Sequence, residues 1–311
     1  MNDNGILGGL HPFLKLLLLV MLMLTGVLTV TLLGVLAAMP FLGTGILTQL
    51  GHGSDNLNLL RYFQLLSHIG LFLVPSLVFA ALVSRKPLRL LGANHPPQRL
   101  PMVFAALIML AGVPFVYFLM EVNQQLALPE SMAGLEEWMR RTEDAAETLM
   151  GRFLLVEGLH LLLFNIVMIA VLPGIGEEFI FRGLVQPLFK KWTGNVHVAV
   201  IITAILFSAM HFQFYGFLPR FMLGVMLGYM FVLTNNIWVP VFAHFFNNAG
   251  AVTLYYIAAN SEAVNAEGLA AAGFSPLMIT MSLVLVIIMF VVMMRHSRLP
   301  AAHDMHRDTG A

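Results

Sequence analysis

Apolar residues in this chain come in long runs, not in the short alternating or heptad patterns of soluble domains. A helix that crosses a bilayer needs about 20 mostly apolar residues. Eight stretches meet or approach that length: residues 13–39, 62–84, 102–121, 153–172 (running on toward 190), 195–212, 217–234, 237–258 and 275–294. The pattern predicts an all-α, polytopic membrane protein of about eight transmembrane helices. The first stretch lies where a signal peptide would, yet its apolar run is too long for an h-region, so it reads as a retained helix. Residues 129–151 break the pattern. There Leu135, Trp138, Met139 and Leu149 interleave with Glu130, Glu136, Glu137, Arg140, Arg141, Asp144 and Glu147. Glu136–Arg140 and Glu137–Arg141 are i,i+4 pairs of opposite sign. The segment reads either as an amphipathic helix on the external bilayer surface or as a solvated connection between spans. Residues 295–311 read as a flexible cytoplasmic tail, and the whole of 1–311 as one integral membrane domain without internal repeats.

Composition agrees with the pattern. The chain has 311 residues, 59% hydrophobic and 10% charged, with a mean hydropathy of +0.85, against roughly 25% charged residues in ordinary soluble domains. The formal net charge is zero, so nothing points to a nucleic-acid partner. The absence of cysteine excludes disulfides, thiol catalysis and thiolate metal sites. Basic residues crowd alternate loops: Arg85, Lys86, Arg89 and Arg99 after the second stretch, Lys190 and Lys191 after the fourth, Arg295, Arg298 and Arg307 after the eighth, with Lys15 near the start. By the positive-inside bias this predicts a multi-pass protein of the cell membrane with both termini cytoplasmic.

Against this background six polar residues stand out: Glu177, Glu178 and Arg182 on the fourth stretch, His211 at the end of the fifth, His244 and Asn248 on the seventh. A charged side chain at a bilayer centre costs about 2.5–3.5 kcal/mol on insertion scales, so such groups tend to be used. Val171-Leu-Pro-Gly-Ile-Gly176 precedes the acids; Pro173 is expected to kink or break the helix there, and Gly174 and Gly176 leave room for a close neighbour. In a helix Glu178 and Arg182 share one face and can pair, while Glu177 points about 100° away. Two adjacent carboxylates in different surroundings are the usual arrangement for dividing acid from base work. Each motif also has a plain reading. The acids can be a solvated helix start, His211 an interfacial histidine, and His244 with Asn248 a polar contact between helices. Their coincidence on three successive stretches argues for a site. Gln64 and His68, which share a face of the second stretch, Glu157 and His160, and the Gly224-x-x-x-Gly228 pair read as packing or cavity-lining groups; the glycines could serve packing within the chain or dimerisation.

Two hydrolytic chemistries suit the set. In one, Glu177 takes a proton from water with help from His211, and His244 and Asn248 donate to the developing oxyanion. In the other, Glu177, His211 and His244 hold a divalent metal, most plausibly zinc, that acidifies the water. A His-Glu-x-x-His signature is absent. So are the Gly-x-Ser motifs of serine enzymes and an aspartate inside a span.

Glu177-Glu178-Phe-Ile-Phe181-Arg182, Phe207-Ser-Ala-Met-His211 and His244-Phe-Phe-Asn-Asn248 resemble, in this order, the three motifs of the CAAX-protease and bacteriocin-processing (CPBP, or abortive-infection) family, which includes the CAAX prenyl endopeptidases. The resemblance covers about residues 150–260, the CPBP-like catalytic core. It implies an eight-helix membrane endopeptidase with a conical intramembrane cavity opening into the bilayer. It also implies that Glu177, Glu178, Arg182, His211, His244 and Asn248 occupy the functional positions. Members have been described as metal-dependent and as glutamate-type, so the resemblance leaves both chemistries open. The expected function is hydrolysis of a peptide bond in a membrane-tethered or lipid-modified substrate. The rivals are a proton-coupled transporter or scaffold, which would use the same groups as a relay, and a catalytically silent immunity-type membrane protein.

Overall fold

A computed structural model describes residues 4–43, 56–260 and 273–298. Its main elements are all helices: α1 (Pro12–Leu42), α2 (Leu57–Val83), α3 (Arg99–Gln124), α4 (Ala133–Leu154), α5 (Leu159–Thr193), α6 (Val196–Ala209), α7 (Phe217–Thr234), α8 (Trp238–Asn260) and α9 (Pro276–Arg298). The boundaries follow local chemistry. Asn56 caps α2 by accepting from Asn58 N and Leu59 N, as N-cap amides do. Gly194, at φ +70°, closes α5 in the left-handed conformation that costs glycine least. The next residue, Asn195, caps α6 by accepting from His197 N at 2.8 Å and Val198 N at 3.2 Å. Two helices are thereby joined with almost no loop.

Each of the eight apolar stretches contains a helix, although the fourth starts at Leu159 and not at 153, because the helix breaks between Leu154 and Leu159 at Gly158, φ +88°. The helices are not equal. Among the described residues, six helices are long and apolar enough to cross a membrane: α1, α2, α3, α5, Phe214–Thr234 and Pro276–His296. Helix α6 has 14 residues, about 21 Å at roughly 1.5 Å per residue, against a hydrocarbon core of about 30 Å. Helix α8 has 23 residues but carries His244, Asn247 and Asn248 near its middle. The two helices that fall short are thus the two that lead to, or carry, the histidine motifs. The apolar spans make this an integral membrane protein.

Two apolar clusters hold the bundle. One joins α1, α2, α5 and α6 around Leu19, Phe79, Ile180, Leu184 and Phe207. The other joins α3, α7, α8 and α9 around Ile108, Leu227, Met230, Val239 and Ala243. Helix α8 carries Val241 in the first and Ala243 in the second, so it sits between them. Residues 129–151 do contain an amphipathic helix, α4, with Glu136–Arg140 paired at 2.6 Å and Glu137–Arg141 at 3.5 Å. Its inner side docks on the protein itself. Trp138 packs on Phe214, the Arg140 guanidinium lies 4.6 Å over the Tyr215 ring, and Glu143 accepts from Tyr215 N at 3.1 Å. Most of the expected tail, and most of the loop between α8 and α9, lie outside the described residues.

Candidate active site

Helix α5 is not a regular rod where the acids sit. It widens into π turns over Ile166–Val171 and Phe179–Val185, with Leu172–Glu178 between them. Such bulges often mark functional sites. Pro173 lies in the intervening turn and lacks the N–H that an α-helix would offer to the Ile169 carbonyl. Asn248 of α8 supplies a substitute: its Nδ2 donates to that carbonyl at 3.1 Å. The close crossing that permits this depends on Gly174. A Cβ there would stand 3.3 Å from the backbone of Phe245 and of Val241, tighter than ordinary contact.

Glu178 and Arg182 form the expected i,i+4 ion pair, with Arg182 Nη1 donating to Glu178 Oε1 at 2.8 Å and both side chains wholly buried. The pair is locked from three directions. His244 Nδ1 lies 2.9 Å from the same carboxylate oxygen. Arg182 Nη2 donates to the Gly224 carbonyl at 3.0 Å. The guanidinium rests 4.7 Å over the Phe207 ring, a cation–π contact that strengthens without water. One turn further on, Gln186 Nε2 donates to the Gly228 carbonyl at 3.2 Å. The Gly-x-x-x-Gly pair therefore works inside the chain. A Cβ on Gly224 would come 3.0 Å from Ala204, and one on Gly228 2.9 Å from Val200.

Glu177 is also buried, at 7% exposure, but its Oε2 has no hydrogen-bond partner among the described residues. The two neighbouring acids thus occupy different surroundings. One is neutralised by a cation, and the other is held without a fixed partner near His244, Glu178 and Arg182. His211 lies just past the end of α6. Its Nδ1 donates to the Phe207 carbonyl at 2.9 Å, which places the proton on Nδ1 and leaves Nε2 as the free lone pair of the neutral ring. The residue after it, Phe212, adopts φ +54°, uncommon for a residue with a side chain. The following turn is held by Asn123 of α3, which donates to the Phe214 carbonyl at 2.8 Å and accepts from Leu218 N at 2.6 Å. It is covered by the Trp138, Arg140 and Glu143 contacts of α4.

All six polar residues that the motifs single out fall in one region, and Phe207 is the wedge that gathers them. Its ring centroid lies 5.3 Å from that of His211 and 5.8 Å from that of His244. Asn248 reaches the region by its bond to α5; its neighbour Asn247 is exposed and donates to Asn248 Oδ1 at 3.1 Å. Gln64 is exposed, as are Glu157 and His160. His68 is buried at 8% exposure. It packs against α5, where a Cβ on Gly176 would meet its Nε2 at 3.2 Å. The packing role read for it from the sequence is therefore met by α5, while Gln64 on the same helix stays exposed. The candidate zinc ligands Glu177, His211 and His244 do not form a metal-holding cluster. Among the described residues no three His, Asp or Glu side chains are grouped so that they could hold an ion. An apolar pocket of about 170 Å³ adjoins the region, lined in part by Val171, Ile175, Val241 and Phe245.

The arrangement supplies a carboxylate without a fixed partner, an imidazole lone pair, and an imidazole and an amide that each keep one unused position. That set suits proton transfer and stabilisation of an oxyanion. Comparison with known proteins agrees in kind. Residues 159–250 match the family model described as type II CAAX prenyl endopeptidase Rce1-like. Two curated proteins of Bacillus subtilis (strain 168) are similar to this chain. The sporulation-killing factor biosynthesis protein SkfC is 35% identical over 86 residues, which is 25% of this chain and 17% of that protein. The uncharacterized protein YpbD is 29% identical over 89 residues, 27% of this chain and 42% of that protein. The chain therefore spans less than half the length of either relative. No solved structure matches.

Proposed function

From the match of residues 159–250 to the Rce1-like CAAX endopeptidase family model, we propose that the protein is an intramembrane endopeptidase acting on membrane-tethered or lipid-modified peptides. The observation that carries this reading is the division of labour between the two acids. Glu178 is tied through Oε1 to Arg182 and His244, with its Oε2 unbonded, whereas Glu177 is buried with no bonded cation among the described residues. Glu177 is then the general base. It removes a proton from a water molecule whose other hydrogen is accepted by His211 Nε2, and the oxygen adds to the scissile carbonyl carbon. The oxyanion accepts from His244 Nε2–H and from the Asn248 N–H not committed to Ile169. The proton on Glu177 passes to the leaving nitrogen as the C–N bond breaks. Positioned acid–base groups contribute about 10²–10⁴-fold, and one oxyanion donor about 10²–10³-fold. No step is routed through a metal, because the donor set does not gather around one point.

The test is cleavage of a prenylated CAAX-type peptide by the purified protein in proteoliposomes. Glu177→Gln is expected to lower kcat by at least about 10²-fold with the protein still folded. A variant cleaving at the wild-type rate would remove Glu177 from the base role.

A further inference from the structure

We infer that the protein carries a phosphate-binding cavity at the basic end of its helices, and that the phosphate it takes is that of an anionic phospholipid headgroup. The cavity holds about 370 Å³, within the usual range for small-ligand sites. It lies among the segment that leaves α2, the end of α5, the start of α6 and the end of α7. None of the six motif residues lines it.

The first observation is charge. Arg89, Lys190 and His95 line the cavity together with the side-chain amides of Asn94 and Asn235. All five side chains are exposed, so their donors reach an incoming group without first leaving a buried position. No acid lines the cavity, and residues 84–99, 186–196 and 231–238, which supply its walls, contain no Asp or Glu. A guanidinium, an ammonium and two amides, with no carboxylate in the same walls to compete, form a donor set for phosphate oxygens.

The second observation is that the walls are fixed from behind. Ile237 N donates to the Gly92 carbonyl at 3.2 Å. The Nδ2 of Asn236, wholly buried, donates to the Pro96 carbonyl at 2.8 Å. These bonds tie the segment after α2 to the junction of α7 and α8. On the opposite wall Gln186, itself buried, donates to the Gly228 carbonyl and ties α5 to α7. The cavity is therefore formed before anything enters it, which lowers the ordering cost of binding.

The third observation is level. Trp192, half exposed, stands beside Lys190 and Lys191 at the end of α5. Aromatic and basic residues gather in this way where spans leave the hydrocarbon for the headgroups. Val232 on the cavity wall is also exposed, as is Val198 close to the lining residue Val196. A lipid uses both parts of this surface, its phosphate meeting the cations and its apolar portion continuing over the valines. A water-soluble phosphate uses only the first. Basic pockets between spans at this level take lipid headgroups.

The test titrates the purified full-length protein, in a neutral detergent, with dioctanoyl phosphatidylglycerol, dioctanoyl phosphatidylcholine or glycerol 3-phosphate. Binding is read from the thermal midpoint and from adducts in native mass spectrometry. Phosphatidylglycerol is expected to raise the midpoint saturably, and the other two only weakly. Each cation near a membrane surface strengthens anionic-lipid binding about fivefold, so Arg89→Gln/Lys190→Gln is expected to raise the apparent Kd for phosphatidylglycerol about 10–30-fold. Lys191→Gln makes the same change of charge at the next residue, outside the cavity lining, and is expected to shift that Kd less than about 2-fold. An unchanged Kd in the double variant, or equal losses in Lys190→Gln and Lys191→Gln, would overturn the cavity as the place of binding. Glycerol 3-phosphate bound as tightly as the lipid would overturn the lipid as the source of the phosphate. Should the double variant unfold, Arg89→Gln and Lys190→Gln decide singly by the same criteria. None of these readouts uses peptide cleavage, so the result stands apart from the endopeptidase reading.

Discussion

Arg182 offers the strongest test of how the site is held. Replacing it with methionine removes a cation with no exposed surface and leaves Glu178, equally buried, facing an apolar side chain. Breaking one side of a buried pair costs about 3–5 kcal/mol, because the remaining charge stays uncompensated. The same change removes the bond to the Gly224 carbonyl and the contact with Phe207. Those add about 1 kcal/mol each. At roughly 2 °C per kcal/mol, the low end for large domains, the pair alone predicts a fall of about 6–10 °C in the thermal midpoint. The measurement is unfolding of purified protein in detergent at one fixed scan rate, since membrane proteins of this size often unfold irreversibly. The decisive variant is the double one. In Glu178→Gln/Arg182→Met no charge is stranded, and the amide can still meet His244. The double variant should therefore be more stable than Arg182→Met alone, with a coupling of at least about 2 kcal/mol. A coupling below about 0.5 kcal/mol would refute the claim that charge compensation, as opposed to packing of the long side chain, is what Arg182 supplies.

Two other substitutions separate packing from positioning. Gly224→Ala places a methyl 3.0 Å from Ala204 and should cost about 1–3 kcal/mol by overpacking, while Gly250→Ala, with nothing within 4 Å, should leave the thermal midpoint unchanged or slightly raised. Asn123→Leu removes both bonds that hold the 214–218 turn; kcat should fall while substrate binding measured with an uncleavable peptide changes little, and an unaltered kcat would show that His211 is placed without α3.

The helices were legible because apolar runs of membrane length leave the chain few alternatives, and the Glu178–Arg182 pair because i,i+4 spacing forces two residues onto one face. What the sequence could not give was anything fixed by contact between distant segments. Whether α6 and α8 count as full spans depends on how far neighbours shield a short helix and a polar one. The amphipathic helix α4 was readable from its alternation, but not that its ring and guanidinium contacts close over the turn after His211. The Gly224–Gly228 pair announced a close approach without saying to what; its partners turn out to be Arg182 and Gln186, which take the glycine carbonyls. His68 was read with Gln64 as a packing or cavity-lining group, and what it packs against was hidden for the same reason. A histidine between apolar neighbours acquires a packing partner only when Gly176, more than a hundred positions away, is laid against it.

The bond between Asn248 and the Ile169 carbonyl has a consequence for inheritance. Pro173 creates the vacancy, and Asn248 fills it from another helix, so each is useful in the presence of the other. A lineage that lost the amide first would carry an unpaired carbonyl in the bundle interior. One that replaced the proline first would restore the helix's own N–H and make the amide redundant for folding, leaving only its chemistry to preserve it. The order of the two changes therefore matters, and the permissible path runs through the proline.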